Sequence, residues 1–177
     1  RLAELARRLP VLMTGGNHDR WGDPFWDREL GIVYGAGELR FPLGNGTALA
    51  LHGDQVPGRS RGYRLKDALI QSRLASTVYR LLPAELGFRI TAGLARPSHS
   101  KGATRREEET ARRQQAWAEA QLREAPDISV LIMSHSHRPA ALELLPGRRY
   151  LNPGAWFEGF RYAVATDSAL ELSRYRG

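Results

Sequence analysis

Histidine, aspartate and asparagine residues recur in three short motifs, each directly after a run of apolar residues. The motifs are Gly16-Asn17-His18-Asp19, then His52-Gly53-Asp54, and finally His135-Ser136-His137. Imidazole nitrogens and carboxylate or amide oxygens are ligands that several divalent metal ions accept, and imidazole also transfers protons near neutral pH. The three motifs therefore indicate a metal site.

The apolar runs before these motifs, residues 11–14, 48–51 and 129–133, predict three buried strands. In α/β units, functional residues gather where strands end at their carboxyl side, so we expect the motifs to meet at one edge of a sheet. Alternate residues of an extended segment point the same way. We therefore expect the side chains of His135 and His137 to face a common centre.

Composition sets broad limits on what the chain can do. The 177 residues suffice for one sizeable core, and the absence of cysteine excludes disulfides, thiolate metal sites and cysteine nucleophiles. No apolar run or leader predicts a membrane span or signal peptide, so we expect a cytoplasmic protein. The net charge of +7 fits contact with phosphate or an anionic membrane, and equally a solvated arginine-rich surface. The arginines are dispersed without a recognition motif, so no nucleic-acid partner is expected.

A long insertion separates the second and third predicted strands. It begins with an amphipathic helical stripe that includes Leu65, Leu69 and Leu74, and its last part, residues 104–123, is charged enough to predict a solvent-facing helix. Thr104 and Glu107 have the spacing of a capping box for that helix. About six strands and three or four helices are expected in all. The predicted division is a core formed by residues 1–56 and 127–177, and a helical cap formed by residues 57–126.

Taken together and in this order, the three motifs resemble the later signature blocks of calcineurin-like metallophosphoesterases. The resemblance implies an α/β fold, a two-sheet αββα sandwich with two divalent metal ions at the strand ends. Manganese is expected, with iron or zinc as alternatives. The ligands carried over are Asn17, His52 and His135 for one ion and His137 for the other.

The same resemblance assigns roles to the remaining residues of the motifs. His18 would stand by the leaving group as general acid or electrostatic stabiliser, Asp19 would orient it, and Asp54 would support the site from behind the ligands. The implied reaction is metal-dependent hydrolysis of a phosphoester or diphosphate bond.

Two features depart from the family pattern. Ser134 stands where the family has glycine. The family also opens with Asp-x-His and then Gly-Asp-x-x-Asp, which supply the remaining ligands, and neither occurs in this sequence. We therefore expect an N-terminally truncated chain that lacks the first βαβ portion and is inactive by itself. The alternative is a non-catalytic remnant or binding module that has lost the block.

The insertion bears on the substrate. Its layout, together with residues 95–101, His137-Arg138-Pro139 and residues 150–156, is similar to the UDP-2,3-diacylglucosamine diphosphatases of lipid A biosynthesis. That implies a nucleotide-lipid substrate, peripheral contact with the anionic inner membrane, and substrate contacts from Ser100, Lys101 and Thr104. Those enzymes carry arginine at the position of His18, which keeps a soluble nucleotide or phosphoprotein substrate open. A packed helical cap without a lipid role is also open.

Overall fold

The chain forms two compact units. The computed structural model describes residues 1–17, 24–56, 65, 68–70, 72–94, 101–166 and 169–176, and only the backbone of 73, 91, 93, 94 and 101–104. The first unit comprises Arg1–Pro57 and Arg106–Gly177, and the second comprises Gly58–Arg105. Residues 106–126, which the sequence assigned to the insertion, thus belong to the first unit. As a functional division, the core and cap boundaries stay a prediction.

A five-stranded mixed sheet forms the centre of the first unit. Its strands are β3 (Glu38–Leu43), β4 (Gly46–Leu51), β5 (Ile128–Met133), β6 (Ala140–Leu145) and β7 (Arg148–Asn152), in the spatial order β3-β4-β5-β7-β6. The three middle strands run parallel, and each outer strand is antiparallel to its neighbour. Apolar β4 and β5 therefore occupy the interior of the sheet, as their sequences predict.

Two smaller sheets complete the strands of the first unit. Strand β1 (Leu12–Thr14) pairs in parallel with β2 (Val33–Gly35), and β8 (Arg161–Ala165) pairs antiparallel with β9 (Leu170–Arg174). The short helix α1 (Leu2–Ala6) precedes β1, and α2 (Phe25–Arg28) lies between β1 and β2 in the chain. The α/β class is confirmed, whereas the two-sheet sandwich stays a prediction.

Strands β2 and β3 were not expected from the sequence, and the described residues contain nine strands rather than about six. Strand β3 alternates polar and apolar residues and includes Pro42, which is tolerated because β3 is an edge strand. A tight turn at Gly44-Asn45, with Gly44 at φ 60°, returns the chain into β4.

Helix α5 (Lys101–Glu124) packs on the sheet through one stripe of small and apolar side chains. Ala111, Ala118 and Leu122 are buried, and the last two share a core cluster with Leu49 and Tyr150. The prediction of a solvent-facing helix was therefore wrong. The buried positions recur every three to four residues, but dense charge at the intervening positions hides them. The predicted capping box of Thr104 and Glu107 was also wrong, because the helix begins at Lys101 and Thr104 lies inside it.

The second unit contains helices α3 (Arg73–Leu81) and α4 (Ala84–Leu94). The Ser72 hydroxyl accepts a hydrogen bond from the Ala75 amide and caps α3. Large apolar side chains on both helices are exposed, including Leu74, Leu81 and Phe88 at 74%, 80% and 73%. In the described part of the chain, no helix has the length and apolar character required to cross a membrane.

Candidate metal centre

Parallel strands bring two of the three predicted motifs to one edge of the five-stranded sheet. Leu51 of β4 stands opposite Met133 of β5, so His52 and Ser134 follow side by side. The Ser134 amide donates a hydrogen bond to the His52 carbonyl at 3.1 Å. His135 comes next in the chain. The expectation that these loops share an edge is confirmed for His52 and His135.

The first motif reaches the same place from the end of β1. Asn17 Oδ1 lies 3.0 Å from His52 Nε2. This approach depends on Gly16, because a Cβ atom built there would lie 2.8 Å from Cε1 of the His52 ring. A glycine directly before Asn17 is therefore required for the close contact.

Three potential ligand atoms converge around the His52 ring. His135 Nδ1 lies 3.3 Å from His52 Nε2, and the two imidazole rings meet edge to face with centroids 5.1 Å apart. Metal–nitrogen bonds of about 2.1 Å at tetrahedral or octahedral angles separate neighbouring ligand atoms by roughly 3.0–3.4 Å. The observed spacings and the oxygen–imidazole chemistry therefore fit a divalent cation bound by Asn17, His52 and His135.

Carboxylates do not complete this set among the described residues. That part of the chain holds no group of three or more histidine, aspartate, glutamate or cysteine side chains placed to bind a metal ion. The amide of Asn17 is the third member of the cluster and is not one of those residue types. Asn17, His52 and His135 therefore form an incomplete ligand set for one ion.

The backbone of the His-x-His motif is not extended, which corrects the expectation based on alternation. His135 and His137 have φ values of 62° and 56°, in the left-handed region that non-glycine residues rarely occupy. The Ser136 amide also bonds back to the Ser134 carbonyl at 2.7 Å. Such strained conformations cluster at functional sites, where the surrounding structure holds them in place.

His137 has neighbours of its own. Its Nδ1 atom lies 3.7 Å from a Glu158 carboxylate oxygen, and its ring contacts Phe157 edge to face with centroids 5.1 Å apart. The His137 side chain is 38% exposed, so it is accessible to solvent and to a ligand. Its assignment to a second metal ion stays a prediction.

Two buried amides hold the loops in these conformations. Asn152, at the end of β7, donates to the Ser134 carbonyl and to the Ser136 hydroxyl, both at 3.0 Å. Gln114 of α5 donates to the same Ser134 carbonyl at 3.0 Å and to the Gly53 carbonyl at 3.3 Å. Both side chains are fully buried. The residues flanking His52 and His135 are thus bridged by a single side-chain amide.

Gly53 and Gln114 fit each other closely. Gly53 has a φ of 94°, and a Cβ atom there would lie 2.3 Å from the Gln114 amide nitrogen. Asp54, the predicted supporting carboxylate, is 5% exposed in the same loop. Any larger residue at position 53 would displace the bridging amide.

A second contact joins α5 to the last motif. The Arg138 guanidinium lies 3.5 Å from carboxylate oxygens of both Glu107 and Glu108. These side chains are partly exposed, so the pairs contribute orientation more than stability. Helix α5 therefore contacts this loop both before Ser136, at Ser134, and after it, at Arg138.

Several predicted site residues lie outside the described part of the chain. They are His18, Asp19 and Ser100, and for Lys101 and Thr104 the backbone alone is described, within α5. Their predicted catalytic and substrate-binding roles stay predictions.

Sequence reasoning missed Gln114, Asn152 and Glu158. Gln114 carries a recognisable signal, because it is the single polar member of the buried α5 stripe with Ala111, Ala118 and Leu122. A buried amide requires hydrogen-bond partners. The position of Gln114 on the helix does not identify those partners until the neighbouring elements are known.

The chain is similar to hydrolases along nearly its whole length, although no family model matches it. A UDP-2,3-diacylglucosamine hydrolase from Shewanella piezotolerans is 25% identical over 165 residues, covering 92% of this chain and 68% of that protein. A protein of the same name from Shewanella pealeana is 25% identical over 167 residues, covering 94% and 69%. These likenesses support a hydrolase at that coarse level.

A solved structure also overlaps with the chain. It is a single mutant of Vps29 from Entamoeba histolytica, with a TM-score of 0.35 and 16% identity, covering 82% of this chain and 68% of that one.

Proposed function

We propose that the protein is a metal-dependent phosphoesterase that hydrolyses a phosphoester or diphosphate bond. The observation that carries the proposal is the approach of Asn17 Oδ1 and His135 Nδ1 to His52 Nε2, at 3.0 and 3.3 Å. Three such atoms from distant parts of the chain form half of an oxygen–nitrogen site for a first-row metal ion. The similarity to two hydrolases supports the same reaction class.

The residues of the chain divide the work of this reaction. Asn17, His52 and His135 hold one cation and His137 contributes to a second, and the bound ions supply positive charge that stabilises the phosphoryl oxygens. His18 donates a proton to the departing oxygen, and Asp19 keeps its imidazole oriented. Gln114 and Asn152 keep the ligand loops fixed, so that little reorganisation accompanies the reaction.

For the substrate we propose UDP-2,3-diacylglucosamine, cleaved at its diphosphate to release UMP. The names of the two relatives support this substrate. The exposed Leu74, Leu81 and Phe88 of the second unit support acyl-chain contact, because exposed apolar side chains in one segment often mark a lipid or partner site.

The test is hydrolysis by protein expressed from the complete reading frame, with manganese and with a chelator. UDP-2,3-diacylglucosamine and bis(p-nitrophenyl) phosphate are compared at equal concentration. We expect manganese-dependent UMP release. Hydrolysis of the aryl diester without UMP from the lipid would reject the substrate and keep the reaction class, and no hydrolysis of either with any divalent metal would reject the enzyme.

A soluble nucleotide or a phosphoprotein is the second candidate substrate. The observation that favours it is His18, because the diphosphatases that the sequence resembles carry arginine there. A His18→Arg variant separates the two, since it should retain UMP release from the lipid and lose hydrolysis of a soluble ester.

We also propose a cytoplasmic protein that contacts an anionic membrane surface peripherally. Exposed arginines such as Arg89 lie among the exposed apolar side chains of α4, a combination that favours anionic lipid. Flotation with vesicles tests this: binding to vesicles with anionic lipid, and none to neutral vesicles, is expected. Equal recovery with both would reject it.

A further inference from the structure

Three arginines line a pocket in the first unit. It has a volume of about 380 Å³ and is formed by Arg161 of β8, Arg174 at the end of β9, Arg176, Pro139 and Pro153. Pockets that bind small ligands measure about 300–1,000 Å³. The pocket is large enough for one or two phosphate groups.

The arginines that line this pocket, Arg161, Arg174 and Arg176, have no acidic partner in the described part of the chain. The Arg161 Nε atom donates to the backbone carbonyl of Glu158 at 3.3 Å, which leaves the other guanidinium donors available. Three like charges in one concavity repel each other, so an anion that bridges them would be favoured.

The loop after β7 connects this pocket to His137. The Glu158 side chain lies 3.7 Å from His137, while its carbonyl accepts the hydrogen bond from Arg161. A Cβ atom built on Gly159 would lie 3.9 Å from the Arg174 guanidinium, so the backbone of Gly159 passes close to Arg174. One short segment thus contacts both the last predicted metal ligand and two of the three arginines.

We propose that this pocket binds a phosphate group of a phosphorylated ligand. Guanidinium groups present paired donors that match phosphate oxygens, and several together accommodate its double charge. Binding itself does not depend on the metal ions. That the ligand is the substrate or product of the candidate centre rests on the proposed function.

Binding is measured by titration calorimetry on the full-length protein in a chelator, so that phosphate cannot bind through a metal. Pyrophosphate and UMP are the probes, which distinguishes a free phosphate source from a nucleotide source. Succinate reports on anion charge alone. We expect pyrophosphate or UMP to bind and succinate to bind at least about tenfold more weakly.

The decisive variant is Arg174→Gln with Arg176→Gln. We expect it to weaken phosphate binding at least about tenfold, because each lost contact is a hydrogen bond to a charged group. The matched control is Arg28→Gln with Arg112→Gln, two exposed arginines outside the pocket, which changes the net charge equally. Arg176→Gln alone serves if the double variant unfolds.

The outcomes separate this proposal from the proposed function. No binding in the chelator, equal binding of succinate, or equal weakening by the control pair would overturn the pocket. Failure of metal-dependent hydrolysis, with phosphate binding and its arginine dependence intact, would overturn the enzyme and leave the pocket standing.

Discussion

At the scale of single residues, the central atom is His52 Nε2, which faces both Asn17 Oδ1 and His135 Nδ1. A neutral imidazole carries one ring proton, so this nitrogen either donates a hydrogen bond or offers a lone pair. A bound cation accepts lone pairs from all three atoms at once. A bound cation would therefore satisfy all three atoms at once, whereas one ring proton on His52 cannot.

His135→Ala should weaken metal binding at this cluster, because it removes one of the three ligand atoms. We expect metal-dependent hydrolysis to fall by about a hundredfold or more, because a ligand and its orienting contact are both removed. Cobalt affinity, followed by visible absorption, should fall in parallel. His99→Ala is the control, since His99 is the one histidine outside the three motifs. Equal losses in the two variants would refute the ligand assignment.

Gly16→Ala tests the close approach of Asn17 to His52. The new methyl group would lie 2.8 Å from the His52 ring, so the ring or the loop must move. We expect cobalt affinity to fall about tenfold, in the range that mutation of residues supporting a metal site produces. Gly37→Ala is the matched control, because its nearest neighbour would be Gln55 at an ordinary 3.8 Å. Wild-type affinity in Gly16→Ala would contradict the packing argument.

At the scale of secondary-structure elements, α5 both covers the sheet and positions the ligand loops. Leu122 and Ala118 pack in the core, and Gln114, one and two turns earlier on the same stripe, bridges the carbonyls of Gly53 and Ser134. The helix therefore couples the spacing of His52 and His135 to the core. Disturbing the bridge should change metal binding as well as stability.

Gln114→Leu retains the size of the side chain and removes both hydrogen bonds. We expect about 2 kcal/mol less stability, because two carbonyls lose a buried donor, although Asn152 still bonds one of them. Cobalt affinity should also fall, which loss of stability alone would not cause in the folded protein. Gln115→Leu, at the partly buried neighbouring position, is the control. Unchanged affinity in Gln114→Leu would mean that the bridge is structural only.

The strands that carry the motifs were predictable, because β1, β4 and β5 lie in apolar runs. The expectation that β1 is buried was wrong, since Leu12 is 39% exposed and β1 has no buried residue. Strands β2 and β3 were not, since β2 is three residues long and β3 contains a proline. The buried face of α5 was hidden by its charge. Local sequence pattern identifies an element when most of its residues are apolar because they are buried. It fails where the structure depends on position at a sheet edge or on contact with another element.

At the scale of the whole molecule, the core makes stability depend on pH in the alkaline range. Burial raises the pKa of Tyr150 above its ordinary value of 10.0, and a hydrogen bond with Asn152 opposes that shift. The unfolded chain therefore loses this proton at a lower pH than the folded protein. The stabilisation that comes from the neutral, buried Tyr150 is fully present below pH 10.0. It is lost as the pH rises through the pKa of Tyr150 in the folded protein.

Tyr150→Phe should remove this dependence. We expect the free energy of unfolding, measured in urea between about pH 9 and 11, to fall less steeply with pH than in the wild type. Tyr162→Phe, at a 40% exposed position, should retain the wild-type slope. The same slope in both variants would show that other groups control alkaline stability.

The sequence alone determined the three strands, the residue types that follow them and the metal chemistry those types allow, because these depend on local pattern and side-chain chemistry. Tertiary structure decided which ligands meet, the left-handed backbone of His135 and His137, and the bridging role of Gln114. It also decided the arginine pocket, whose members come from separate strands and loops. Contacts between residues far apart in the chain depend on strand order and helix placement, which no local spacing specifies.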